Sequence, residues 1–275
     1  MTSKPSSSST LATCTSTLLK AGIPTARLDA LLLIEHITGR GRAHILAEPA
    51  LQLTPAEAHQ LDKLVQRRAQ HEPMAYIRGR AEFYGRSFVV NEHVLVPRPE
   101  SETMIDIALQ LKPTRIIDVG TGSGALAISA ALELPAADVL ALDIDPACLK
   151  ITHQNVQALA PGRMETRVSN LLRAVSDVEL AGSLLLCNLP YVPDGYQINQ
   201  AAQHEPRLAL FAGPDGLDLY RELFKQLLER PRAAWPNHIL CESLPAQHAD
   251  LAKIAQAAGW NLAAEQDFIQ AFSRP

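Results

Sequence analysis

The sequence has few aromatic residues, few cysteines and no apolar run long enough to cross a bilayer; its most hydrophobic stretch covers only Ala30 to Ile34. The four cysteines lack the close spacing of metal ligands, so we predict no metal site and no disulfide framework. The serine-rich start, Met1 to Ser9, lacks the apolar segment of a secretory signal and is predicted to be a disordered tail. These absences predict a cytoplasmic protein that does not bind a membrane.

An excess of basic residues is also missing. The formal net charge is -4 and the isoelectric point is near 6.1, whereas proteins that bind nucleic acid mainly through its phosphates normally carry a positive excess. We therefore expect no direct contact with nucleic acid. What is present is a 47% hydrophobic content in 275 residues, which is ample for one large domain or two modest ones.

The first part of the chain has the pattern of a small helical domain, which we place at residues 1–74. Leucines at three- and four-residue spacing from Leu28 onward predict an amphipathic helix that ends at Gly39. A second helix begins at Thr54, with Pro55 in the first helical position and Glu57 completing a capping box. Since this region contains no cluster of acids, bases or metal ligands, we interpret it as a docking module.

Residues 75–97 change character and predict a β-hairpin linker. The segment 82–90 is aromatic and β-branched with a glycine near its middle. It leads into Val96-Pro97-Arg98-Pro99-Glu100, where the two prolines keep the backbone extended. Two interpretations of Arg98 remain open: it reaches a substrate carboxylate, or it pairs with a neighbouring surface acid, which we favour.

Residues 98–275 alternate between strand-like and helix-like segments, which predicts a mostly parallel, doubly wound α/β sheet. The last segment, from Trp260, is expected to add one or two edge strands. The predicted strands are 116–119, 139–142, a weaker one near 167–168, the strand into Asn188, and 238–241; the predicted helices are 104–111, 125–134, 146–159, 217–228 and 246–258.

A glycine-rich loop, Asp118-Val119-Gly120-Thr121-Gly122-Ser123-Gly124, joins the first predicted strand to its helix. Its spacing alone also fits a dinucleotide fingerprint. A carboxylate at Asp118 would repel a pyrophosphate, whereas it suits the ammonium of an amino-acid cofactor. Asp143 ends the second strand, where a carboxylate can accept hydrogen bonds from both ribose hydroxyls, and Asp145 before Pro146 is predicted to be a helix cap.

The buried strand 183–187 runs into a polar and rigid corner formed by Asn188, Leu189, Pro190 and Tyr191. Asn188 offers a carbonyl acceptor, the residue before Pro190 is held extended, and Tyr191 supplies a flat face. Such a corner suits a clamp for a planar NH2 group, although an ordinary strand-to-loop corner fits these four residues alone equally well.

Together these motifs resemble the S-adenosylmethionine-dependent methyltransferases. Asn-Leu-Pro-Tyr is close to the Asn-Pro-Pro-Tyr signature of those that methylate planar amide or amino nitrogens. The hairpin, the Val-Pro-Arg-Pro-Glu-Ser-Glu linker and the segment 205–210 are similar to the release factor glutamine N5-methyltransferase family, also called HemK or PrmC. The likeness runs from about Leu11 to Asp267 and implies a Rossmann-like class I methyltransferase domain behind the helical domain and the hairpin.

The resemblance implies that S-adenosylmethionine is the cofactor and that the methyl acceptor is the glutamine of the Gly-Gly-Gln loop of peptide chain release factors. It further implies that the Asn188 to Tyr191 corner is catalytic. The expected cofactor-binding residues are Asp118, Gly120, Thr121, Gly122, Gly124, Asp143, Ile144, Asn170, Leu171 and Asn188.

Two positions depart from the family pattern: Leu189 stands where proline is usual, and Asn170 stands where an aspartate usually accepts from the adenine amine. Both keep a carbonyl oxygen. Two alternatives therefore stay open. One is methylation of the exocyclic amine of adenine in DNA or RNA, for which the acidic, aromatic-poor chain lacks an evident recognition region. The other is a homologue that binds cofactor or partner with impaired catalysis.

Overall fold

The computed structural model of the chain describes residues 7–47 and 52–275. The chain divides into two compact units: the first comprises residues 1–79 with 199–204, and the second comprises residues 80–198 with 205–275. The sequence predicts three domains, with boundaries after residues 74 and 97, and that division stays a prediction.

The first unit is helical in its described part. Its helices are α1 (Ser7–Lys20), α2 (Ala26–Thr38), α3 (Arg42–Ala47), α4 (Pro55–Ala69) and α5 (Met74–Arg78). Residues 1–6 of the predicted disordered tail lie outside the described residues. Residues 7–9 open α1, so the prediction of disorder is wrong there.

The predicted helix ends in this unit are confirmed. The Thr54 hydroxyl accepts from Glu57 N, and the Glu57 carboxylate accepts from Thr54 N, which completes the capping box of α4. Gly39 follows α2 in the left-handed conformation. The predicted buried face of α2 is only partly right: Leu28 is 45% exposed, while Leu33 and Ile34 are fully buried. The reason is that α2 packs against both α1 and α4, so that its buried surface is wider than one stripe.

The second unit is built on a seven-stranded sheet with a separate two-stranded hairpin. Its strands are β1 (Arg80–Phe83), β2 (Arg86–Val89), β3 (Arg115–Val119), β4 (Asp138–Asp143), β5 (Met164–Val168), β6 (Leu184–Cys187), β7 (His238–Glu242), β8 (Asn261–Gln266) and β9 (Ile269–Ser273). Its helices are α6 (Glu102–Leu111), α7 (Ala125–Glu133), α8 (Pro146–Leu159), α9 (Asp177–Leu180), α10 (Asp218–Leu228) and α11 (His248–Ala257).

The strand order of the large sheet is β5-β4-β3-β6-β7-β9-β8. The first five strands in that order are parallel, and β9 runs antiparallel to both of its neighbours. The predicted mostly parallel, doubly wound sheet is therefore confirmed. Of the two C-terminal strands, only β8 lies at the edge. β9 is internal, which suits its nearly continuous burial, whereas every residue of β8 is exposed.

The hairpin of β1 and β2 packs through Phe83 and Phe88 into the core beside α6 and α7. Tyr84 and Gly85 form its turn, both at positive φ, as a two-residue hairpin turn requires. The predicted linker starts at residue 75, whereas residues 75–78 lie in α5 and the hairpin begins at Arg80. Asn155 of α8 holds β2: its side chain accepts from Val89 N at 2.7 Å and donates to the Val89 carbonyl at 3.0 Å.

The second large cluster of the core lies under the other face of the sheet. In it the two tryptophans of the chain, Trp235 and Trp260, stack with ring centroids 5.2 Å apart. Within the described residues, 7–47 and 52–275, no helix is long and apolar enough to span a bilayer.

Candidate active site

A cavity lies at the edge of the sheet where β3, β4, β5 and β6 end. These parallel strands bring their carboxyl ends to one edge, which is where open α/β sheets bind ligands. The cavity is lined by residues of the segments after those strands and of two further loops: His93, Leu95, Gly120, Gly122, Asp143, Ile144, Asp145, Cys148, Ser169, Asn170, Leu171, Asn188, Leu189, Pro190, Pro206, Leu208, Ala209 and Leu219.

A larger groove, of about 400 Å³, lies at the amino ends of β3, β4 and β5, where Arg115, Asp138 and Met164 begin these strands. Its charged side chains contact protein groups: Arg115 bonds the Val178 carbonyl at 2.8 Å, and Arg163 bonds the Pro135 carbonyl at 2.7 Å. Because ligands of such sheets bind at the opposite, carboxyl edge, we assign the functional site to the other cavity.

The glycine loop turns sharply under the cavity. Gly120 N and Thr121 N both donate to the Leu142 carbonyl, at 2.9 and 2.8 Å, which fixes the loop to β4. Gly120 and Gly124 have φ values of +78° and +82°. A Cβ on Gly124 would lie 2.8 Å from Thr152 Cγ2, so this position requires glycine for both conformation and space.

Asp118 lies beneath this loop and does not line the cavity. It is 1% exposed, and Thr121 Oγ1 donates to its Oδ2 at 2.6 Å. Burial raises the pKa of the Asp118 carboxyl to about 7, against the opposing effects of the Thr121 hydroxyl and the Ala127 backbone N–H. In this geometry the Asp118 carboxylate holds the glycine loop through Thr121. A contact between Asp118 and the ammonium of a cofactor stays a prediction.

Asp143 does line the cavity, and its carboxylate is firmly oriented. Its Oδ2 accepts from Gly122 N and its Oδ1 from Asp145 N, both at 2.9 Å. Burial raises the pKa of Asp143, and these backbone donors oppose the shift. Each oxygen keeps a lone pair for a hydroxyl donor. The next residue, Ile144, is 50% exposed at the cavity and offers an apolar surface. The predicted cap is confirmed, since Asp145 Oδ1 accepts from Ala147 N.

The segment after β5 forms another wall. Ser169 Oγ donates to the Leu171 carbonyl at 2.6 Å, and Leu171 adopts a left-handed backbone with φ of +51°. Such a conformation is unusual for a branched residue and needs support from its surroundings, as functional loops often do. The exposed Asn170 is thereby placed at the cavity.

The predicted corner follows β6. Leu189 is 2% exposed, and its side chain packs in the core below the glycine loop, 3.2 Å from the position of a Cβ on Gly120. Asn188, Leu189 and Pro190 line the cavity. Tyr191 does not: its hydroxyl donates to Glu242 Oε1 at 3.1 Å, and its carbonyl accepts from Gln247 Nε2 at 2.8 Å.

Some of the predicted catalytic and cofactor-binding residues line one cavity, and the others do not. At the cavity are Gly120, Gly122, Asp143, Ile144, Asn170, Leu171, Asn188, Leu189 and Pro190; Asp118, Thr121, Gly124 and Tyr191 do not line it. The roles given to all of them from the sequence stay predictions.

Sequence reasoning missed Ser101 and Glu242. Asn188 Nδ2 donates to Ser101 Oγ at 2.9 Å, and Ser101 Oγ donates to Glu242 Oε2 at 2.6 Å. Burial raises the pKa of Glu242, although the Ser101 and Tyr191 hydroxyls favour its charged form. A signal was available for Glu242, because it follows the apolar run 239–241 just as Asn188 follows its own strand.

Arg98 pairs with an acidic side chain of the protein itself, as the favoured interpretation predicted. The predicted position of that acid on the surface is wrong, because the partner is buried. The Arg98 guanidinium donates to Glu205 Oε1, and Glu205 is only 7% exposed. Glu205 Oε2 also accepts from Val96 N at 3.1 Å. The Glu205 carboxylate therefore connects the proline-containing segment 96–100 to the segment 205–210, whose Leu208 and Ala209 line the cavity.

The buried carboxyl of Asp118 makes stability depend on pH. Since its folded pKa lies above the ordinary value of 3.8, the unfolded chain releases this proton first, and the free energy of unfolding falls as the pH rises from about 4 to about 7. The Asp118→Asn variant lacks this titration. We expect its free energy of unfolding, relative to the parent, to rise by about 2 to 3 kcal/mol between pH 5 and pH 8, measured by urea unfolding.

Asp138→Asn is the matched control, because the Asp138 side chain is 83% exposed. Its free energy of unfolding should follow that of the parent at both pH values. Parallel pH profiles for the parent and Asp118→Asn would show that Asp118 is not the buried titrating group.

Comparison with known proteins gives two family matches. The PrmC N-terminal domain model matches residues 9–79, and the ribosomal protein L11 methyltransferase (PrmA) model matches residues 103–188. The first covers the helical unit, and the second covers the part of the sheet that carries the glycine loop and ends at Asn188.

Among relatives, the release factor glutamine methyltransferase of Koribacter versatilis is 38% identical over 217 residues, covering 76% of each chain. That of Deinococcus radiodurans is 34% identical over 265 residues, covering 94% of this chain and 92% of its own. The bifunctional methyltransferase of Rickettsia typhi is 34% identical over 76% of this chain, which spans only 45% of that longer protein.

Among solved structures, the hMettl16 catalytic domain is similar with a TM-score of 0.54 at 15% identity, covering 83% of this chain and 85% of that one. At that identity the likeness concerns the fold, which is the Rossmann-like fold of class I methyltransferases. The two release factor glutamine methyltransferases are 34% and 38% identical and match along most of their length, which shows the family of the chain. The chain belongs to the release factor glutamine methyltransferase family.

Proposed function

We propose that this protein transfers a methyl group from S-adenosylmethionine to the side-chain amide nitrogen of the glutamine in the Gly-Gly-Gln loop of peptide chain release factors. The observation that carries the proposal is that Asn188, Leu189 and Pro190 line one cavity together with the oriented carboxylate of Asp143. The names of relatives that match along 76% and 92% of their length support this choice of substrate.

The residues of the cavity fit S-adenosylmethionine. The two oxygens of Asp143 can accept from the ribose hydroxyls, and the exposed side chain of Ile144 offers an apolar surface to the adenine ring. Asn170 provides a carbonyl acceptor for the adenine amine. Gly120 and Gly122 leave the backbone of the loop open to close approach. When bound, S-adenosylmethionine supplies an electrophilic methyl group on its sulfonium.

The Asn188 corner would supply orientation. An amide nitrogen is a weak nucleophile because its lone pair is delocalised into the carbonyl, so placement must do much of the work. The Asn188 side-chain oxygen and the Leu189 carbonyl would accept the two N–H groups of the glutamine amide. These acceptors fix the nitrogen in plane and favour the positive charge that grows on it during transfer. We assign no general base, and the proton leaves to solvent after transfer.

The helical unit is the candidate for docking the protein substrate. It carries no catalytic cluster in its described residues, and the segment 199–204, part of the loop after the Asn188 corner, belongs to it. His204 Nε2 lies 2.9 Å from the Gln70 carbonyl oxygen within this unit. A module of this kind suits a macromolecular partner, and two glycines beside the target let a substrate backbone come close. A cytoplasmic location also stays a prediction.

The first prediction concerns the cofactor. Asp143→Ala removes two charge-assisted hydrogen bonds to the ribose and should cost roughly 2 to 4 kcal/mol, which is tens to hundreds of times in affinity. Titration calorimetry with S-adenosylmethionine measures this loss. Asp138→Ala, at the exposed start of β4, is the control and should bind like the parent. An unchanged dissociation constant for Asp143→Ala would overturn the assignment of the ribose site.

The second prediction separates the two halves of the corner. Asn188→Ala should lose about 100-fold in turnover, far more than it loses in cofactor affinity, because a missing preorganised acceptor costs about 3 kcal/mol in the transition state. Leu189→Pro keeps the carbonyl and should stay within about tenfold of the parent. Steady-state kinetics with a release factor gives both values, and equal turnover by Asn188→Ala and the parent would show that the clamp is misassigned.

The third prediction concerns the substrate. Purified protein, labelled S-adenosylmethionine and an intact release factor are incubated, and the added methyl is located by peptide mass spectrometry. We expect it on the glutamine of Gly-Gly-Gln and expect none when that glutamine is replaced by alanine. If the helical unit docks the partner, an isolated Gly-Gly-Gln peptide should be methylated with a lower kcat/KM than the intact release factor.

Two outcomes would contradict this substrate. Label on DNA or RNA would favour methylation of adenine. Cofactor binding without transfer to a release factor would favour a homologue with impaired catalysis. Asn188→Ala is the control variant: any methyl label that it still transfers at the parent rate does not depend on the Asn188 corner.

A further inference from the structure

A buried carboxylate lies behind the Asn188 corner and contacts it through two hydroxyl groups. Glu242, at the end of β7, is 1% exposed, and Ser101, at the end of the proline-containing linker, is 2% exposed. Ser101 Oγ donates to Glu242 Oε2 at 2.6 Å, and the Tyr191 hydroxyl donates to Glu242 Oε1 at 3.1 Å. Neither Ser101 nor Glu242 lines the cavity, so any effect they have on a substrate must pass through a neighbour.

The direction of these hydrogen bonds follows from the number of protons available. An ionised carboxylate only accepts, and a serine hydroxyl has a single proton to donate. Once Ser101 donates to Glu242, its oxygen can only accept from Asn188. The NH2 group of the Asn188 side chain therefore faces Ser101, at 2.9 Å, and its oxygen is left for the cavity that this residue lines.

We propose that Glu242, acting through Ser101, sets the direction of the Asn188 amide and so makes this corner an acceptor of N–H groups. Both are positioning residues. The inference rests on the proposed function, because an acceptor is needed only if the substrate presents an NH2 group. It explains why a charged side chain is kept buried at this point, where burial of an ion without partners is costly.

The substitution Glu242→Gln would reverse the direction of these hydrogen bonds. The two hydroxyls contact different terminal atoms of this side chain, and in the amide only one of those atoms is an oxygen. The Tyr191 hydroxyl has no other acceptor among the described residues, whereas Ser101 also contacts Asn188, so Tyr191 keeps the oxygen and the NH2 group of the new side chain faces Ser101. The Ser101 hydroxyl then turns its proton toward Asn188, which satisfies every group only if the Asn188 amide is rotated by half a turn. The corner would then present N–H groups to the N–H groups of the substrate.

The test uses Ser101→Ala, Glu242→Gln and the double variant of the full chain, with kcat measured on a release factor and cofactor affinity measured by calorimetry. We expect Glu242→Gln to lower kcat by about 100-fold, as loss of an oriented acceptor does. Ser101→Ala removes the hydrogen-bond partner of the Asn188 amide, so that both orientations of the amide become accessible. Because the productive orientation stays populated, this variant should lower kcat by only about tenfold. Because the reversal passes through the Ser101 hydroxyl, the double variant should be about as active as Ser101→Ala and more active than Glu242→Gln.

Cofactor affinity should stay within about threefold of the parent in all three variants. Ser129→Ala is the matched control: Ser129 is fully buried in α7, its hydroxyl has no hydrogen-bond partner among the described residues, and the variant should keep the parent kcat.

Losses of kcat that multiply in the double variant, or that come with an equal loss of cofactor affinity, would show a merely structural role and overturn the inference. Full activity of Glu242→Gln would also overturn it while leaving the proposed function intact. Failure of the parent protein to methylate a release factor would instead overturn the proposed function, and the inference with it.

Discussion

The site depends on the close approach of two strand ends. β3 and β6 are parallel neighbours, and their register pairs Asp118 with Leu186, so the glycine loop and the Asn188 corner leave the sheet at the same level. Gly120 meets the side chain of Leu189 so closely that a Cβ there would lie 3.2 Å from Leu189 Cδ2. Because Leu189 is buried in the core, the corner cannot move without disturbing the packing beneath it.

Buried acids organise this end of the sheet. The side chains of four acids are buried there, and each accepts from backbone N–H groups, hydroxyls or an arginine: Asp118, Asp143, Glu205 and Glu242. Burial raises the pKa values of Asp118, Asp143 and Glu242. A carboxylate in such a place is tolerated only while its partners stay in position, so each acid fixes the segments that supply its donors.

The sequence predicted the family, the sheet and the segments that reach the cavity because those depend on local patterns. Short apolar runs mark most of the central strands, and the glycine spacing and the Asn-Leu-Pro-Tyr corner lie within single segments. The contact between Ser101 and Glu242 was missed because the two residues lie 141 positions apart and meet only through folding. The burial of β9 was missed for a related reason, since β9 pairs with β7, which precedes the segment that begins at Trp260.

The side-chain roles were harder to foresee than the backbone. Asp118 and Asp143 were both expected to contact the cofactor, yet the Thr121 hydroxyl bonds the buried Asp118, while backbone N–H groups orient Asp143 at the cavity. In the same way, no local pattern indicated that Arg98 pairs with a buried acid rather than an exposed one. Such differences are decided by which neighbours fill the space around a carboxylate, and a linear pattern does not contain that information.

The stacked pair of Trp235 and Trp260 gives the two units different optical signatures. Both tryptophans of the chain lie in the core of the second unit, and residues 1–79 contain none. Fluorescence excited at the red edge of the indole band therefore reports on the second unit alone, whereas far-ultraviolet circular dichroism also registers the helices α1 to α5 of the first. If the helical unit loosens first on heating, the dichroism changes while the emission does not, so the order of melting can be followed without adding any label.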